Sequence, residues 1–236
     1  MLNFLRSILT TAIRAGSPLL VGTLGEILTE RSGVLNLGVE GIMLMGAVSA
    51  FAAGQVTGNP WIGVLAAVVV GALFSLIHGF MVITLKLNQY VSGLALVMLG
   101  SGLSSLVGLK YIGLKGASFK PVFMGFDPLV LIFIALVPVL WYVLYKTRLG
   151  IEIRSVGQNP AAADAQGVDV AKVRYLCTAF GGALVGLAGA YLSTAYIPSW
   201  TENMTSGRGW IILALTIFAS WNPRGALVGA WLFGGI

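Results

Sequence analysis

The chain has 236 residues, of which 57% are hydrophobic and only 9% are charged. An ordinary soluble domain carries about 25% charged residues, so a soluble body of this composition could not cover its surface with polar groups. This excludes a soluble globular enzyme, a disordered protein and a nucleic-acid-binding domain, even though the formal net charge is +6. The fold class that remains is all-α, a polytopic transmembrane helical bundle.

A helix that crosses the membrane needs about 20 mostly apolar residues. The sequence contains several such segments, and a last one begins at Ala226 and stops at Ile236. The complete segments are 12–30, 34–54, 61–85, 90–109, 128–145, 175–197 and 209–221. We therefore predict one transmembrane domain over residues 1–236, with about seven to eight spans. The last segment is too short to cross the membrane, so either the chain is truncated or its last element packs as a half-helix.

Small and aromatic residues indicate how the spans pack and where they end. Gly182, Gly186 and Ala190 follow one another at intervals of four residues, which predicts close packing of one helix face. Tryptophans fall at predicted span ends, where interfacial aromatic residues are expected. They are Trp61, Trp141, Trp200, Trp210 and Trp221.

Two loops are long, 110–127 and 146–174. The second carries basic residues beside span ends, which places it in the cytoplasm by the positive-inside rule. These residues are Lys146, Arg148, Arg154, Lys172 and Arg174. Counting spans backwards puts 110–127 and the N-terminus outside. If the segment 12–30 did not cross the membrane, the N-terminus would instead be inside.

The loop 146–174 contains the signals of a short helix. Asn159 suits the N-cap and Pro160 the first helical position. The following alanines favour helix and Gly167 favours its end, so we predict a helix over about 160–166. Its side chains are mostly methyl groups and could enter a groove on another protein. A solvated helix that only joins two spans explains the same pattern.

Three stretches of the sequence are long enough to be distinctive: GEILTERSGVLNLGVEGIMLMG at 25–46, RSVGQNPAAADAQGV at 154–168 and SGRGWIILALTIFASWNPRGALVGAWLFG at 206–234. They resemble the permease subunits of bacterial ABC importers, and in particular the branch that carries simple sugars and nucleosides. The first looks closer to nucleoside permeases than to ribose permeases, which usually have an acidic residue near the place of Asn36. Members of this family usually continue for some tens of residues and about two more spans.

The resemblance implies a function and partners. The function is movement of nucleosides, or simple sugars, across the bacterial cytoplasmic (inner) membrane by alternating access. The partners are an ATP-binding cassette subunit, a second permease subunit that is the same chain or a different one, and an extracytoplasmic substrate-binding lipoprotein. The stretch 154–168 corresponds to the loop that couples such permeases to the ATPase. The residues that we expect to take part are Arg154, Gly157, Asn159, Pro160, Ala162, Asp164 and Gly167.

Polar residues within or beside the spans are candidates for the substrate pathway, because a charge at mid-bilayer costs about 2.5–3.5 kcal/mol. Asn36 and Glu40 are four residues apart and are expected to share a helix face. Glycine-interrupted segments such as this one often line the path in transporters. The remaining candidates are His78, Asn88 and Gln89.

Each of these candidates also has a purely structural explanation. Glu40 could form an ion-paired turn with Glu30 and Arg31, which would hold the first two spans together. A lone histidine such as His78 is more often a hydrogen-bonded packing residue than a ligand. Asn88 and Gln89 could cap the fourth span.

The sequence offers no catalytic constellation. One His, one Cys and no paired carboxylates at depth provide neither a metal site nor a nucleophile–base pair. The phosphate-binding pattern GxxxxGK[ST] is absent, so we expect no enzyme activity, no cofactor, and ATP hydrolysis on a separate subunit. The sequence leaves two alternative functions. An ion-coupled secondary transporter would need more ionisable residues at mid-membrane than this chain has beyond Glu40 and His78. A non-transporting scaffold would give the polar stretch 30–41 no purpose.

Overall fold

The computed structural model describes residues 2–122 and 125–235, with side chains from residue 8 onward. The secondary structure of these residues is helical apart from two isolated bridges between the loop after the fourth span and residues 199–200. The α-helices are α1 (Leu2–Arg31), α2 (Val39–Thr57), α3 (Pro60–Gly79), α4 (Gln89–Gly108), α5 (Pro128–Lys146), α6 (Arg148–Gln158), α7 (Pro160–Ala165), α8 (Val170–Tyr191), α9 (Arg208–Phe218) and α10 (Pro223–Gly234).

Six helices are long and apolar enough to cross a membrane in the part of the chain that the structure describes. They are Ile8–Arg31, Val39–Thr57, Pro60–Thr84, Gln89–Tyr111, Pro128–Lys146 and Val170–Tyr196, where α3 and α8 each continue as one π-helical turn. These correspond to the first six predicted spans. The prediction of an all-α membrane bundle is therefore confirmed.

The last two predicted spans are short helices. The apolar segment 209–221 corresponds to α9, which has 11 residues. At about 1.5 Å per residue this is roughly 16 Å, half of the hydrocarbon thickness. The helix ends because Ser220 and Trp221 adopt left-handed backbone conformations, with φ of 51° and 55°. Pro223 then begins α10, which has 12 residues and packs along α1.

Helix α8 lies at the centre of the bundle and packs against α1, α2 and α3. The stripe of small residues makes this possible. A Cβ atom on Gly186 would lie 2.3 Å from the carbonyl oxygen of Ala67, so the backbones of α8 and α3 are in contact. Ala190 on the same stripe is fully buried. The predicted close packing of this face is confirmed.

The position of Trp200 differs from the prediction, which put it at the membrane interface. Its side chain is fully buried beside Phe51 and Tyr111, and a Cβ on Gly108 would collide with its indole ring. The loop that follows α8 folds back into the bundle, and it carries Trp200 inward.

Helix α9 runs parallel to α1, since Ile212 contacts Gly22 and Trp221 contacts Glu30 further along both helices. The start of α9 consequently lies about 20 Å from the end of α1, as judged from the helical rise. It is therefore near the middle of the apolar span Ile8–Arg31, which has 24 residues.

Candidate translocation and coupling sites

Glu40, in the first turn of α2, caps the start of α9. Its Oε1 accepts hydrogen bonds from the Thr205 hydroxyl at 2.5 Å and from the Gly207 amide at 2.9 Å. Its Oε2 accepts one from the Gly209 amide at 2.5 Å. The first amides of a helix have no partner within the helix, and its N-terminal dipole favours a negative charge. The buried carboxylate thus satisfies donors that hydrocarbon would leave unpaired.

The backbones of α2 and α9 touch at this point. A Cβ atom on Gly209 would lie 2.5 Å from the Cα atom and 2.5 Å from the backbone nitrogen of Glu40. Only glycine allows this approach. Gly207, whose φ of 83° is left-handed, turns the incoming chain so that its amide points at the carboxylate.

The ion-paired turn that the sequence allowed for Glu30, Arg31 and Glu40 does not form. The Arg31 guanidinium donates to the backbone carbonyl of Trp221 at 3.2 Å, and the Trp221 indole donates to the Glu30 carboxylate. In the described part of the chain these three charged side chains make no ion pair. They all bind the segment around α9 instead, Glu40 at its start and the other two just after its end.

Asn36 and Glu40 do not share a helix face. Helix α2 begins at Val39, so Asn36 lies in the loop between α1 and α2. Its side-chain oxygen accepts a hydrogen bond from the Gly38 backbone amide at 2.9 Å, and its backbone amide donates one to the Glu26 carboxylate at 3.2 Å. Asn36 is buried, and its contacts shape the loop.

His78 and Gln89 hold this same loop through Leu35. The His78 Nε2 atom lies 3.0 Å from the Leu35 carbonyl oxygen and therefore donates to it, while Nδ1 lies 3.0 Å from the Ser92 hydroxyl. The Gln89 side-chain oxygen accepts from the Leu35 amide at 2.5 Å. Both backbone groups of Leu35 are thereby bound by side chains of α3 and α4. His78 makes the hydrogen-bonded packing contacts that the sequence left open.

A cavity of about 520 Å³ opens beside this loop, at the end of the bundle where α1 ends. Asn88 and Gln89 line it, together with Glu30, Tyr90 and Trp221. The Asn88 side-chain oxygen accepts hydrogen bonds from the backbone amides of residues 90 and 91. Asn88 therefore caps α4, which is the structural role that the sequence allowed. Of the five candidate pathway residues, Asn88 and Gln89 thus face the cavity.

The other three candidates, Asn36, Glu40 and His78, are buried in the contacts described above. Sequence reasoning missed Trp221, which it assigned only to the interface, and the contacts of Thr205 with Glu40. The two glycines that flank Arg208 were the available sign of a close approach at this point.

The predicted short helix is present as α7. The Asn159 side chain accepts from the Ala162 amide at 3.1 Å, and Gly167 ends the turn with a φ of 81°. Ala163 is buried against the rest of the loop, whereas Ala162 and Asp164 are exposed. One face of α7 is therefore packed and the opposite face is free.

Arg154 and Gly157 lie on α6, a helix that the sequence analysis did not predict. A Cβ on Gly157 would lie 2.1 Å from the carbonyl oxygen of Arg31, so α6 rests directly on the end of α1. The Arg154 guanidinium donates to the Gly150 carbonyl and lies 5.3 Å from the centre of the Tyr145 ring. Gly157 thus packs α6 against α1, and Arg154 contacts α5 through Tyr145. The other candidate coupling residues lie in or beside α7: Asn159, Pro160, Ala162, Asp164 and Gly167.

Comparison with known proteins identifies the family. The family described as "Branched-chain amino acid transport system / permease component" matches residues 8–236. "Putative glucose ABC transporter permease protein TsgC13" of Haloferax volcanii is 41% identical, covering 99% of this chain and 76% of that protein. The guanosine ABC transporter permease protein NupQ of Bacillus subtilis is 37% identical, covering 92% of this chain and 76% of that protein.

Two further similarities agree with this assignment. The nucleoside ABC transporter permease protein NupC of Lactococcus lactis is 32% identical, covering 98% of this chain and 81% of that protein. A solved structure, "An inward-facing conformation of a putative metal-chelate type ABC transporter", is 17% identical and supports the fold alone, with a TM-score of 0.50. The match covers 98% of this chain and 84% of that chain. Permease subunits of this family are not themselves enzymes and work with an ATP-binding subunit and a substrate-binding protein. The chain therefore belongs to this family and is a multi-pass permease subunit of an ABC transporter in the cytoplasmic membrane.

Proposed function

We propose that this permease imports nucleosides, with simple sugars as the second choice. The relatives named for guanosine and for nucleosides, and the relative named for glucose, support these two substrate classes. The lining of the cavity favours the nucleoside. Tyr90 and Trp221 offer aromatic faces, and stacking of a base on an aromatic side chain contributes about 1–3 kcal/mol.

The amide side chains of the cavity add hydrogen-bond donors. The oxygens of Asn88 and Gln89 are occupied by backbone amides, so each side chain presents its NH₂ group. Such donors suit the ring nitrogens and carbonyl oxygens of a base. Competition of unlabelled guanosine, glucose and leucine against labelled guanosine uptake tests the assignment. Uptake that glucose or leucine blocks better than guanosine would contradict it.

We further propose that Tyr90 contributes to binding of the base. Tyr90→Leu should raise the KM for guanosine, because it removes the ring and keeps an apolar side chain. Tyr142→Leu is the matched control, since Tyr142 is equally exposed but lies on α5, away from the cavity. An unchanged KM for Tyr90→Leu, or the same change in both variants, contradicts stacking on Tyr90.

The coupling proposal is carried by one observation: α7 packs through Ala163 and leaves Ala162 exposed. We infer that the exposed face docks in a groove of a cytoplasmic ATP-binding cassette subunit. Its capped start and glycine stop make α7 a compact rod, and small side chains let such a rod approach a partner closely. The loop 146–174 is then cytoplasmic, as its basic residues predict.

A continuous set of contacts connects this docking face to the start of α9. Helix α6 rests on the backbone of Arg31, and the Arg31 side chain binds the carbonyl of Trp221 just after α9. Glu40 holds the other end of α9. Movement of α7 by the ATPase would therefore act on a half-length helix at mid-membrane. A docked partner shifts the bundle between outward- and inward-facing states only if its contacts differ between them.

The complete transporter that we propose contains two cassette domains, a second permease subunit, identical or different, and an extracytoplasmic substrate-binding lipoprotein. Co-purification of the intact assembly from membranes tests this composition. Purification of the permease with full transport activity but without an ATP-binding subunit would refute it.

Ala162→Trp tests the docking surface. A bulky side chain in a packed site costs about 1–3 kcal/mol, whereas exposed substitutions usually stay within about 0.5 kcal/mol. We expect normal insertion of the variant, loss of the ATPase on purification, and loss of uptake. Ala171→Trp is the matched control, because Ala171 is an exposed alanine in the first turn of α8. Normal ATPase retention and uptake for Ala162→Trp would refute docking through α7.

A further inference from the structure

The outer side of α5, α6 and α8 carries an apolar groove of about 360 Å³ that the transport proposal does not use. Every side chain that lines it is apolar or a thiol. The principal walls are Val139 and Val143 from α5, Leu149 and Ile153 from α6, and Leu176 and Phe180 from α8. Its volume lies in the range of small-molecule sites, about 300–1,000 Å³.

The groove opens sideways, away from the centre of the bundle. Val139 and Phe180 are 56% and 63% exposed, and Leu149 and Leu176 are also exposed. The floor is closed by Leu28 of α1 and by Cys177, both buried. A groove with a closed floor and an open apolar side facing the hydrocarbon suits a flexible acyl chain.

Basic residues surround the end of the groove nearest to α6. Lys146 ends α5, Arg148 begins α6, and Lys172 lies one turn before Leu176 on α8. Arg148 is paired with Glu152 at 3.2 Å. The Asp169 carboxylate caps the start of α8.

Lys146 and Lys172 have no carboxylate within ion-pair distance in the described part of the chain. The Lys146 ammonium lies 5.9 Å from the centre of the Trp141 ring, a contact that leaves its positive charge uncompensated. Basic residues at a membrane surface attract anionic lipid headgroups.

We propose that this groove binds one acyl chain of an anionic phospholipid of the cytoplasmic leaflet, whose phosphate lies near Lys146 and Lys172. The choice of leaflet rests on the proposed cytoplasmic location of the loop 146–174. Leu149 and Ile153 of α6 form one wall, so the bound lipid also supports the helix that precedes α7.

Photolabelling of the full-length transporter in vesicles tests this proposal. The probe is phosphatidylglycerol with a diazirine in one acyl chain. Phosphatidylcholine and a free fatty acid with the same labelled chain are the comparisons. We expect phosphatidylglycerol to label peptides that contain residues 139–143 and 173–180 above the other lipid-facing helices. Because one surface lysine contributes about fivefold to binding of anionic lipid, Lys172→Gln should reduce the preference over phosphatidylcholine by about that factor.

Two further variants separate a specific site from general lipid contact. Val139→Trp fills the groove and should abolish the enriched labelling, whereas Tyr142→Trp, at an exposed position of the same helix outside the groove, should not. Four results would overturn the proposal. They are uniform labelling of all lipid-facing helices, an unchanged labelling pattern with Val139→Trp, equal labelling by the three probes, and a cross-link to protein in place of lipid. The labelling requires neither ATP nor substrate, so its result is independent of the Ala162→Trp test.

Discussion

Glu40→Gln tests whether the buried carboxylate holds α9 at mid-membrane. The substitution keeps the size of the side chain but replaces one oxygen by an NH₂ group. If the remaining oxygen keeps the contacts with Thr205 and Gly207, the new NH₂ group replaces Oε2, which accepted a hydrogen bond from the Gly209 amide at 2.5 Å. The NH₂ group and the Gly209 amide are both donors, so this hydrogen bond is lost.

The expected loss follows from these contacts. A hydrogen bond to a charged group contributes about 1.5–3 kcal/mol, and a buried amide left unpaired costs about 1–3 kcal/mol. Removal of a buried charge offsets part of this cost. We expect the free energy of unfolding to fall by about 2 kcal/mol, which for a chain of this size corresponds to a decrease of about 4–8 °C in Tm.

Thermal unfolding of the purified protein and uptake in vesicles are the two measurements. Glu40→Gln should insert at normal levels, melt earlier and transport less, because the start of α9 is no longer fixed. Glu202→Gln is the matched control, since Glu202 is exposed in the loop before α9 and should change stability by no more than about 0.5 kcal/mol. Unchanged Tm and uptake for Glu40→Gln, equal to those of Glu202→Gln, would show that the carboxylate does not hold α9.

Two further predictions address packing and topology. Gly209→Ala should lower stability by more than Glu40→Gln, since the added Cβ would overlap the α2 backbone. Gly102→Ala on α4, where the added Cβ has open space, is the control and should be neutral. Equal Tm values for Gly209→Ala and Gly102→Ala would contradict the close approach of α2 and α9. In a Cys177→Ala background, a cysteine in place of the exposed Gln158 should resist an impermeant thiol reagent in whole cells and react in inverted vesicles. A cysteine in place of Lys120 should behave in the opposite way, and labelling of the Gln158 position from outside would reverse the topology.

The first six spans and α7 were predictable because their signals are local. Each span is a continuous apolar segment of sufficient length, and hydrocarbon leaves no alternative to helix for such a segment. Helix α7 is specified by Asn159, Pro160 and Gly167, which act on backbone groups only a few residues away. These predictions agreed with the structure because the signals and the backbone groups that they act on are neighbours in the chain.

The length of α9 and the loop before α2 were not predictable in the same way. Hydropathy continues through Ser220 and Trp221, but their left-handed backbones end the helix. The spacing of Asn36 and Glu40 suggested one helix face, but the helix begins between them at Val39. A periodicity argument holds only where the chain is already helical, and apolar composition does not show where a helix ends.

The sequence by itself determined that this chain is a helical membrane protein, which six segments are long and apolar enough to cross the bilayer, and, through three long stretches, its family. Only the tertiary structure decided what the polar residues do. Glu40 is 165 residues from Thr205, and His78 is 43 residues from Leu35. A polar group in a low-dielectric bundle is stabilised by whichever donor or acceptor the packing of helices brings to it. That partner is set by close helix contacts across the whole chain, and no local pattern around Glu40 or His78 specifies it.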